Sequence, residues 1–182
     1  MITVQDLTKK YGAITVVDNV SFSLAEKRCV ALIGPNGAGK TTTLRMLTGL
    51  MKPTRGSISF PEESSLDIRE KIGYLPQHPN FHNWMTGQAF LIYCARLYRF
   101  SKTEAKQRAN ELLDRVGLSK AKNKRIASYS GGMKQRLGIA QAMIHSPKLL
   151  LLDEPVSALD PIGRREILLL MEELKQEMTI LF

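Results

Sequence analysis

The chain has 182 residues, of which 43% are hydrophobic, a size and composition that predict one globular domain with its own core. No apolar run approaches the roughly 18 residues that cross a bilayer, and the first residues lack the basic and apolar regions of a secretory signal. The net charge of +9 is spread along the chain without interleaved aromatic residues, which disfavours nucleic acid and fits a solvated surface or a patch facing lipid or a membrane protein.

Three strands are predicted at the start of the chain. Residues 2–7 alternate loosely between polar and apolar, and residues 16–24 place Val20, Phe22 and Leu24 on one face. Residues 29–33 are apolar throughout, which is typical of a central parallel strand covered on both faces. Cys29 in this strand and Cys94 further on are isolated, so both are expected to be reduced core thiols.

A glycine-rich run follows the third strand and precedes a helix predicted over residues 40–50. It consists of Gly34, Pro35, Asn36, Gly37, Ala38, Gly39, Lys40, Thr41 and Thr42. These residues fit the phosphate-binding pattern G-x-x-x-x-G-K-[ST] at every fixed position. Backbone N–H groups and the helix dipole would attract phosphate, Lys40 would reach the outer phosphates, and the Thr41 hydroxyl would hold Mg²⁺. The run therefore predicts a site for a nucleoside triphosphate and Mg²⁺.

A mostly helical block occupies the middle of the chain. Short strands are predicted before it at residues 57–60 and 72–75, with a polar connection at 61–65. Residues 86–100 carry apolar side chains at helical spacing. Ser101 and Glu104 fit a capping box that opens the next helix, and Gly117 is expected to end that helix.

A second glycine-containing segment precedes a further predicted helix. It consists of Tyr129, Ser130, Gly131, Gly132 and Met133. Serine is a good helix N-cap, but a plain cap does not explain two successive glycines. The segment is therefore a second place where phosphate could sit on a helix N-terminus.

The last part of the chain predicts a strand, an acidic turn, a helix and a further strand. Four leucines at 149–152 indicate a buried parallel strand, which would deliver Asp153 and Glu154 to the carboxyl edge of the sheet, where ligands bind. Asp153 suits the Mg²⁺ shell, and Glu154 could polarise an attacking water. Asp160 is expected to cap a helix that has Pro161 at its first position and runs to about residue 178. Residues 179–182 begin the further strand.

Together these features resemble the nucleotide-binding domain of ABC (ATP-binding cassette) transporters over essentially the whole chain. The motifs come in the family's order: the phosphate loop, a glutamine loop that ends at Gln77, the signature segment from Ser130, the acidic strand end and a D-loop. The D-loop match consists of Ser157, Ala158, Leu159 and Asp160.

The resemblance implies an α/β fold of the P-loop NTPase type. This fold has a mainly parallel central sheet, an N-terminal antiparallel β subdomain and an inserted helical subdomain. One domain is implied over residues 1–182, with the ATP-binding core at 1–78 and 146–182 and the helical subdomain at 79–145. The resemblance also implies a cytoplasmic protein that lies peripherally on the inner face of the cell membrane, where the helical subdomain contacts a transmembrane permease.

Residue roles are implied in the same way. Tyr11 would stack on adenine, and Gln77 would touch Mg²⁺ and the attacking water. The signature residues would act on the ATP of the opposite protomer in a head-to-tail homodimer or heterodimer that holds two ATP. These signature residues are Ser130, Gly131, Gly132 and Met133.

The implied reaction is hydrolysis of ATP to ADP and phosphate by in-line attack of water. Lys40 balances charge and Glu154 activates the water. The Mg²⁺ ion is organised by Thr41, Gln77 and Asp153. Hydrolysis would drive dimer closure and thereby a membrane transporter.

The chain departs from the family pattern at two places. The signature has Tyr129 and Met133 where the commonest form has leucine and glutamine. The family also has a histidine at the end of the strand that begins near Thr179, whereas this chain ends at Phe182. The role of that histidine cannot be carried over to His78, His82 or His145. We therefore expect a truncated form that binds ATP but hydrolyses it slowly.

Other functions of the same superfamily are alternatives. A DNA-repair or chromosome ATPase would carry a long insertion, but Gln77 and Ser130 are only 53 positions apart. A soluble translation-associated ABC protein acting on ribosomes would have two cassettes in one chain. A non-catalytic interaction module would not need Glu154. The sequence from Pro76 to Thr86 and the single cassette favour a bacterial exporter of the drug or antibiotic type.

Overall fold

The computed structural model describes residues 2–60, 68–157 and 159–182. Two sheets organise this part of the chain. An antiparallel sheet has the order β2-β1-β4, with β1 at Ile2–Tyr11, β2 at Ile14–Leu24 and β4 at Arg55–Ser59. A parallel sheet has the order β3-β7-β6-β5, with β3 at Cys29–Val30, β5 at Ile72–Leu75, β6 at Leu149–Leu152 and β7 at Thr179–Leu181. The predicted α/β class with an antiparallel β subdomain and a mainly parallel sheet is confirmed.

Five α-helices accompany these strands in the described residues. They are α1 at Lys40–Leu47, α2 at Gly87–Leu97, α3 at Lys102–Arg115, α4 at Gly131–Ala142 and α5 at Pro161–Leu174. The predicted capping box is present, since Ser101 Oγ accepts from the Glu104 N–H and Glu104 accepts from the Ser101 N–H. Gly117 follows α3 with a φ of 68°, as a residue that ends a helix in the left-handed region should.

Strand β6 connects the two halves of the core. Successive side chains of a strand point to opposite faces, so Leu150 and Leu152 enter the core beneath the helices while Leu149 and Leu151 enter the core with α1 and the antiparallel sheet. All four leucines are fully buried. The predicted buried strand before Asp153 is therefore confirmed, and both acids that follow it are held by a rigid element.

The prediction of a central, buried strand over residues 29–33 is wrong. Only Cys29 and Val30 form β3, both are half-buried, and Ile33 is 92% exposed. Among the described strands, β3 pairs with β7 alone, so one edge of β3 carries no strand there. An apolar run predicts a strand but does not say which strands lie on either side of it.

Other boundaries also shifted. Strand β1 extends beyond residue 7 to Tyr11, because its polar second half pairs with β2 up to Tyr11 and Ile14. Helix α5 ends at Leu174 rather than near residue 178, although Met178 is buried. The polar connection predicted at 61–65 lies outside the described residues. Cys94 is buried, which raises the pKa of its thiol to about 11, and Cys29 is half-buried; both are free cysteines.

Gly73 allows β5 to lie directly on the end of α4. A Cβ at this position would meet the Ala142 backbone oxygen at 2.2 Å and Pro147 Cγ at 3.0 Å.

We expect Gly73→Ala to lower the free energy of unfolding by about 3 kcal/mol, because neither the backbone of β5 nor that of the end of α4 can yield without moving a whole element. Urea unfolding followed by circular dichroism measures this loss. Gly131→Ala, where a Cβ would meet nothing within 4 Å in the described chain, should change the free energy of unfolding by less than about 1 kcal/mol.

Candidate functional site

The glycine-rich run forms a loop that leads from β3 into α1. Gly37 and Gly39 have φ values of 84° and 87°, in a backbone region that residues with a Cβ rarely adopt. A Cβ on Gly39 would also lie 2.6 Å from the Val16 backbone oxygen. Gly39 is the N-cap of α1 and makes no side-chain cap hydrogen bond, so it leaves the first N–H groups of that helix available to an anion. The loop has the geometry of an anion site at a helix N-terminus.

Lys40 folds over this loop. Its Nζ donates to the Gly34 backbone oxygen at 2.8 Å and to the Pro35 backbone oxygen at 3.2 Å. The same ammonium lies 3.8 Å from Glu154 Oε1. The cationic group is therefore held at the loop by neutral carbonyls and one carboxylate, all of which an incoming phosphate could replace.

Asp153 and Glu154 reach this loop from the end of β6, as predicted. The Asp153 side chain is 1% exposed, and its Oδ1 accepts from the Thr41 hydroxyl at 2.9 Å. Glu154 has a φ of 51°, an uncommon conformation for a residue with a side chain. Its backbone oxygen accepts from the Ser157 hydroxyl at 3.1 Å. The acidic turn is thus tied to the phosphate loop on one side and to the D-loop on the other.

Gln77 joins the same group from the end of β5. Its Nε2 donates to Glu154 Oε2 at 2.8 Å. Gln77 and Glu154 follow neighbouring parallel strands, with Leu75 paired to Leu152, so the sheet edge brings together residues 77 positions apart. A cleft of about 280 Å³ lies between these two residues and the loop residues Asn36 to Thr42.

Tyr74 is a member of this site that the sequence did not single out. Its hydroxyl donates to Asp153 Oδ2 at 3.4 Å. Burial, followed by the negative charge of Asp153, raises the pKa of Tyr74, and Arg45 opposes that rise through a hydrogen bond and its charge. The phenol therefore stays protonated at neutral pH and can donate. A tyrosine in a four-residue strand carries no sequence signal for this contact.

The residues that could hold Mg²⁺ are of the right chemical kind. Mg²⁺ prefers oxygen ligands and is usually bound by one or two carboxylates together with substrate phosphates and water. Thr41 supplies a hydroxyl, Asp153 a carboxylate and Gln77 an amide oxygen. Within the described ranges no group of three or more histidine, cysteine, aspartate or glutamate side chains could hold a metal ion, and the donor set here fits Mg²⁺ without one.

Tyr11 lies at the end of β1 with its ring 48% exposed. Its hydroxyl contacts the Met51 sulfur at 3.1 Å, and Lys9 Nζ lies 5.3 Å from the ring centroid. The ring is held in place while enough of it stays open to stack on a planar base.

The signature segment begins α4 as predicted. Ser130 Oγ accepts from the Met133 N–H at 3.2 Å, and a Cβ added at Gly131 would meet no atom within 4 Å in the described part of the chain. Met133 packs partly buried against the helical core. In the D-loop, Asp160 Oδ1 accepts from the Gly163 N–H at 2.6 Å, which confirms the predicted cap. Ala158 lies outside the described residues.

Two of the histidines lie in aromatic contacts on the helical side. His82 contacts Trp84, Phe90 and Tyr93, with ring centroids 5.7 to 6.3 Å apart. His145 stacks on Tyr98 at 4.4 Å and is 3.1 Å from the Ile72 backbone oxygen through Nε2. Desolvation lowers the pKa of His145. Neither ring is among the residues that line the phosphate-loop cleft.

The phosphate loop, the acid pair and Gln77 meet at one edge of the parallel sheet. This arrangement defines a phosphate-loop nucleotide-binding fold. The chain belongs to the ABC transporter family, whose model matches residues 17–157. YxlF of Bacillus subtilis, an uncharacterised ABC transporter ATP-binding protein, is 56% identical over 182 residues, which cover 100% of this chain and 61% of that protein. The chain thus spans less than two thirds of this relative's length.

Two further similarities agree with this assignment. The lantibiotic transport ATP-binding protein SrtF of Streptococcus pyogenes is 41% identical over 184 residues, with 100% of this chain and 78% of that protein covered. Among solved structures, a dimeric ATP-binding cassette in a post-hydrolysis state, bound to ADP and Pi, superposes with a TM-score of 0.85 at 30% identity. That match covers 100% of this chain and 86% of the other.

No helix among residues 2–60, 68–157 and 159–182 has both the length and the apolar character to span a membrane.

Proposed function

We propose that this chain is the ATP-binding subunit of a transporter and hydrolyses ATP with Mg²⁺ to ADP and phosphate. The observation that carries the proposal is that Lys40, Thr41, Gln77 and Glu154 line one cleft at the start of α1. Asp153 joins them by accepting a hydrogen bond from Thr41. Each of these groups is of the chemical type that phosphoryl transfer to water requires.

The phosphates would replace the contacts that Lys40 now makes. The loop N–H groups and the ammonium would bind the outer phosphates, while Glu154 would accept the proton of the attacking water. The bond between Pγ and the oxygen that bridges it to the β-phosphate would break as the water oxygen bonds to Pγ. Mg²⁺ held by Thr41, Asp153 and Gln77 would neutralise charge on the β- and γ-phosphates.

Tyr11 would bind the adenine ring by stacking. We expect Tyr11→Ala to weaken ATP binding about tenfold, since base–aromatic stacking contributes roughly 1–3 kcal/mol. Tyr11→Phe should retain the affinity because the ring remains. Fluorescence titration with an ATP analogue labelled on the ribose measures both variants. Equal loss in Tyr11→Ala and in the surface variant Tyr93→Ala would contradict this role.

A head-to-tail pair of chains would complete two such sites. Ser130, Gly131, Gly132 and Met133 of one copy would then face the ATP of the other. The exposed α-carbon of Gly131 and the dimeric state of the similar cassette bound to ADP and Pi support this arrangement.

The helical block at 79–145 would contact a transmembrane permease on the inner face of the membrane. The similarity to a lantibiotic transport protein supports export of antibiotic-type molecules as the process served. The slow turnover expected from the sequence stays a prediction.

One experiment tests the proposed function as a whole. The purified chain is assayed for ATP binding with and without Mg²⁺ and for phosphate release, and it is co-expressed with any multispanning membrane protein that sequencing finds encoded beside its gene. Nucleotide binding together with co-purification in detergent supports the proposal. Absence of nucleotide binding would refute it, and retention on ribosomes or DNA instead of the membrane protein would favour the alternative ATPase.

A further inference from the structure

Tyr74 is the one aromatic residue in the described chain whose hydroxyl reaches the Asp153 carboxylate. It lies in β5, paired in parallel with Leu151 of β6, two residues before Asp153. Residues two apart on a strand share a face, which explains why a hydroxyl from β5 meets a carboxylate just beyond the end of β6. The contact is set by the sheet register and not by a mobile loop.

The Asp153 carboxylate is held from both sides. Thr41 donates to Oδ1 at 2.9 Å and Tyr74 donates to Oδ2 at 3.4 Å. With the side chain 1% exposed, water has little access to replace either donor. A buried carboxylate that loses one donor keeps an oxygen that is neither hydrated nor hydrogen-bonded. The plane of this carboxylate is therefore set by two protein hydroxyls.

We propose that Tyr74 is a positioning residue for the Mg²⁺ site: it fixes the plane of Asp153 so that Oδ1 stays beside the Thr41 hydroxyl, the two groups that would hold the metal together. The inference rests on the proposed function, because Asp153 holds a metal only if the cleft binds a Mg²⁺-nucleotide. Tyr74 itself is not among the residues that line the phosphate-loop cleft. Its effect passes through the carboxylate, as outer hydrogen-bond partners of metal ligands generally act.

Two effects of removing the hydroxyl oppose each other. Loss of the donor removes an O–H dipole that partly offsets the negative charge of Asp153, which would strengthen the attraction of the carboxylate for a cation. Loss of orientation leaves the carboxylate free to turn away from Thr41, which would weaken metal binding. Asp153 is nearly fully buried, and among the described residues its carboxylate accepts side-chain hydrogen bonds from these two hydroxyls only. We therefore expect orientation to dominate and metal affinity to fall.

Tyr98 provides a matched control. Both tyrosines line the same cavity of about 270 Å³ between β5, α2, α4 and the residues that follow α1. Tyr98 stacks on His145 in that cavity, whereas Tyr74 reaches Asp153. Phenylalanine at either position removes one phenol oxygen from the same wall and leaves the ring in place.

The test compares Tyr74→Phe and Tyr98→Phe with the unmodified chain. A fluorescent ATP analogue is first titrated in EDTA, and Mg²⁺ is then titrated into the nucleotide-loaded protein. We expect Tyr74→Phe to bind the analogue in EDTA within about twofold of the unmodified chain and to need about tenfold more Mg²⁺ for half-saturation. Tyr98→Phe should leave both values unchanged. Thermal unfolding of each variant shows whether the fold is intact.

Several outcomes would overturn the inference. An unchanged or lower Mg²⁺ requirement in Tyr74→Phe would show that orientation does not decide metal affinity. Weaker binding in EDTA with a lower melting temperature, or an equal effect in Tyr98→Phe, would show a role in packing alone. If the unmodified chain did not bind nucleotide, the proposed function would be refuted, and this inference with it. The titration in EDTA detects that failure separately from any effect of Tyr74 on Mg²⁺.

Discussion

Replacing Glu154 by glutamine is expected to lower the ATP hydrolysis rate by about 100- to 1000-fold, the range of a lost general base. Glutamine has nearly the same shape and can still accept a hydrogen bond from Gln77 Nε2, which now donates to Oε2 at 2.8 Å. It cannot accept the proton of the attacking water. The chemical step should fail while the cleft and the φ of 51° at this position remain.

ATP affinity should therefore be retained in Glu154→Gln. The 3.8 Å contact between Lys40 and Glu154 Oε1 loses its charge, which frees the ammonium for phosphate and, if anything, strengthens binding. Phosphate release measures the rate, and titration with a fluorescent ATP analogue measures the affinity. Glu173→Gln, an exposed change on α5, serves as the control.

Less than a tenfold loss of rate in Glu154→Gln would contradict the assignment of the base. So would a parallel loss of affinity and rate, because that result would place Glu154 in binding rather than in proton transfer. Both outcomes are distinguishable even if the unmodified chain turns over slowly, since the comparison is a ratio of rates measured with the same enzyme preparation.

The phosphate loop was predictable because its chemistry is local. Nine consecutive residues carry the glycines, the lysine and the hydroxyl, and a strand and a helix flank them. The acid pair was predictable for a related reason: four leucines indicate a buried strand, and polar groups after such a strand meet other strand ends at one sheet edge. Both predictions rest on short-range pattern and a general rule of parallel sheets.

The contact between Gln77 and Glu154 could be expected only from the family resemblance. This contact requires that β5 and β6 are neighbours and that Leu75 pairs with Leu152. No local sequence pattern predicts that pairing. The contact between Tyr74 and Asp153 depends on the same register and was missed altogether. Contacts across 77 or 79 positions are set by strand order, and strand order is a property of the whole fold.

Burial of the third strand was mispredicted for the same reason. Its apolar residues fit a central strand and an edge strand equally well, and only β7 pairs with it among the described strands. The end of α5 was placed near residue 178, beyond its actual end at Leu174, although Met178 is buried outside the helix. Apolar periodicity reports burial, while the end of a helix depends on backbone geometry at Lys175, its C-cap.

Replacing Lys40 by alanine is expected to weaken ATP binding by about 10- to 150-fold. A hydrogen bond to a charged group contributes about 1.5–3 kcal/mol, and each 1.4 kcal/mol is tenfold in affinity. The ammonium already lies at the mouth of the loop, bonded to the Gly34 and Pro35 oxygens, so it needs only a small movement to reach an outer phosphate. Its loss should cost more for ATP than for ADP, because the γ-phosphate is one of its expected partners.

The comparison with ADP separates charge recognition from damage to the loop. If Lys40 mainly held the loop through its two carbonyl bonds, Lys40→Ala would weaken ATP and ADP binding equally and would lower the melting temperature. If Lys40 recognises the outer phosphates, the loss of affinity for ATP exceeds the loss of affinity for ADP. The melting temperature without nucleotide then stays near that of the control variant Lys106→Ala, which removes the same charge at an exposed position on α3. Unchanged ATP affinity in Lys40→Ala would contradict the assignment of this cleft as the triphosphate site, because no phosphate could then lie beside the ammonium.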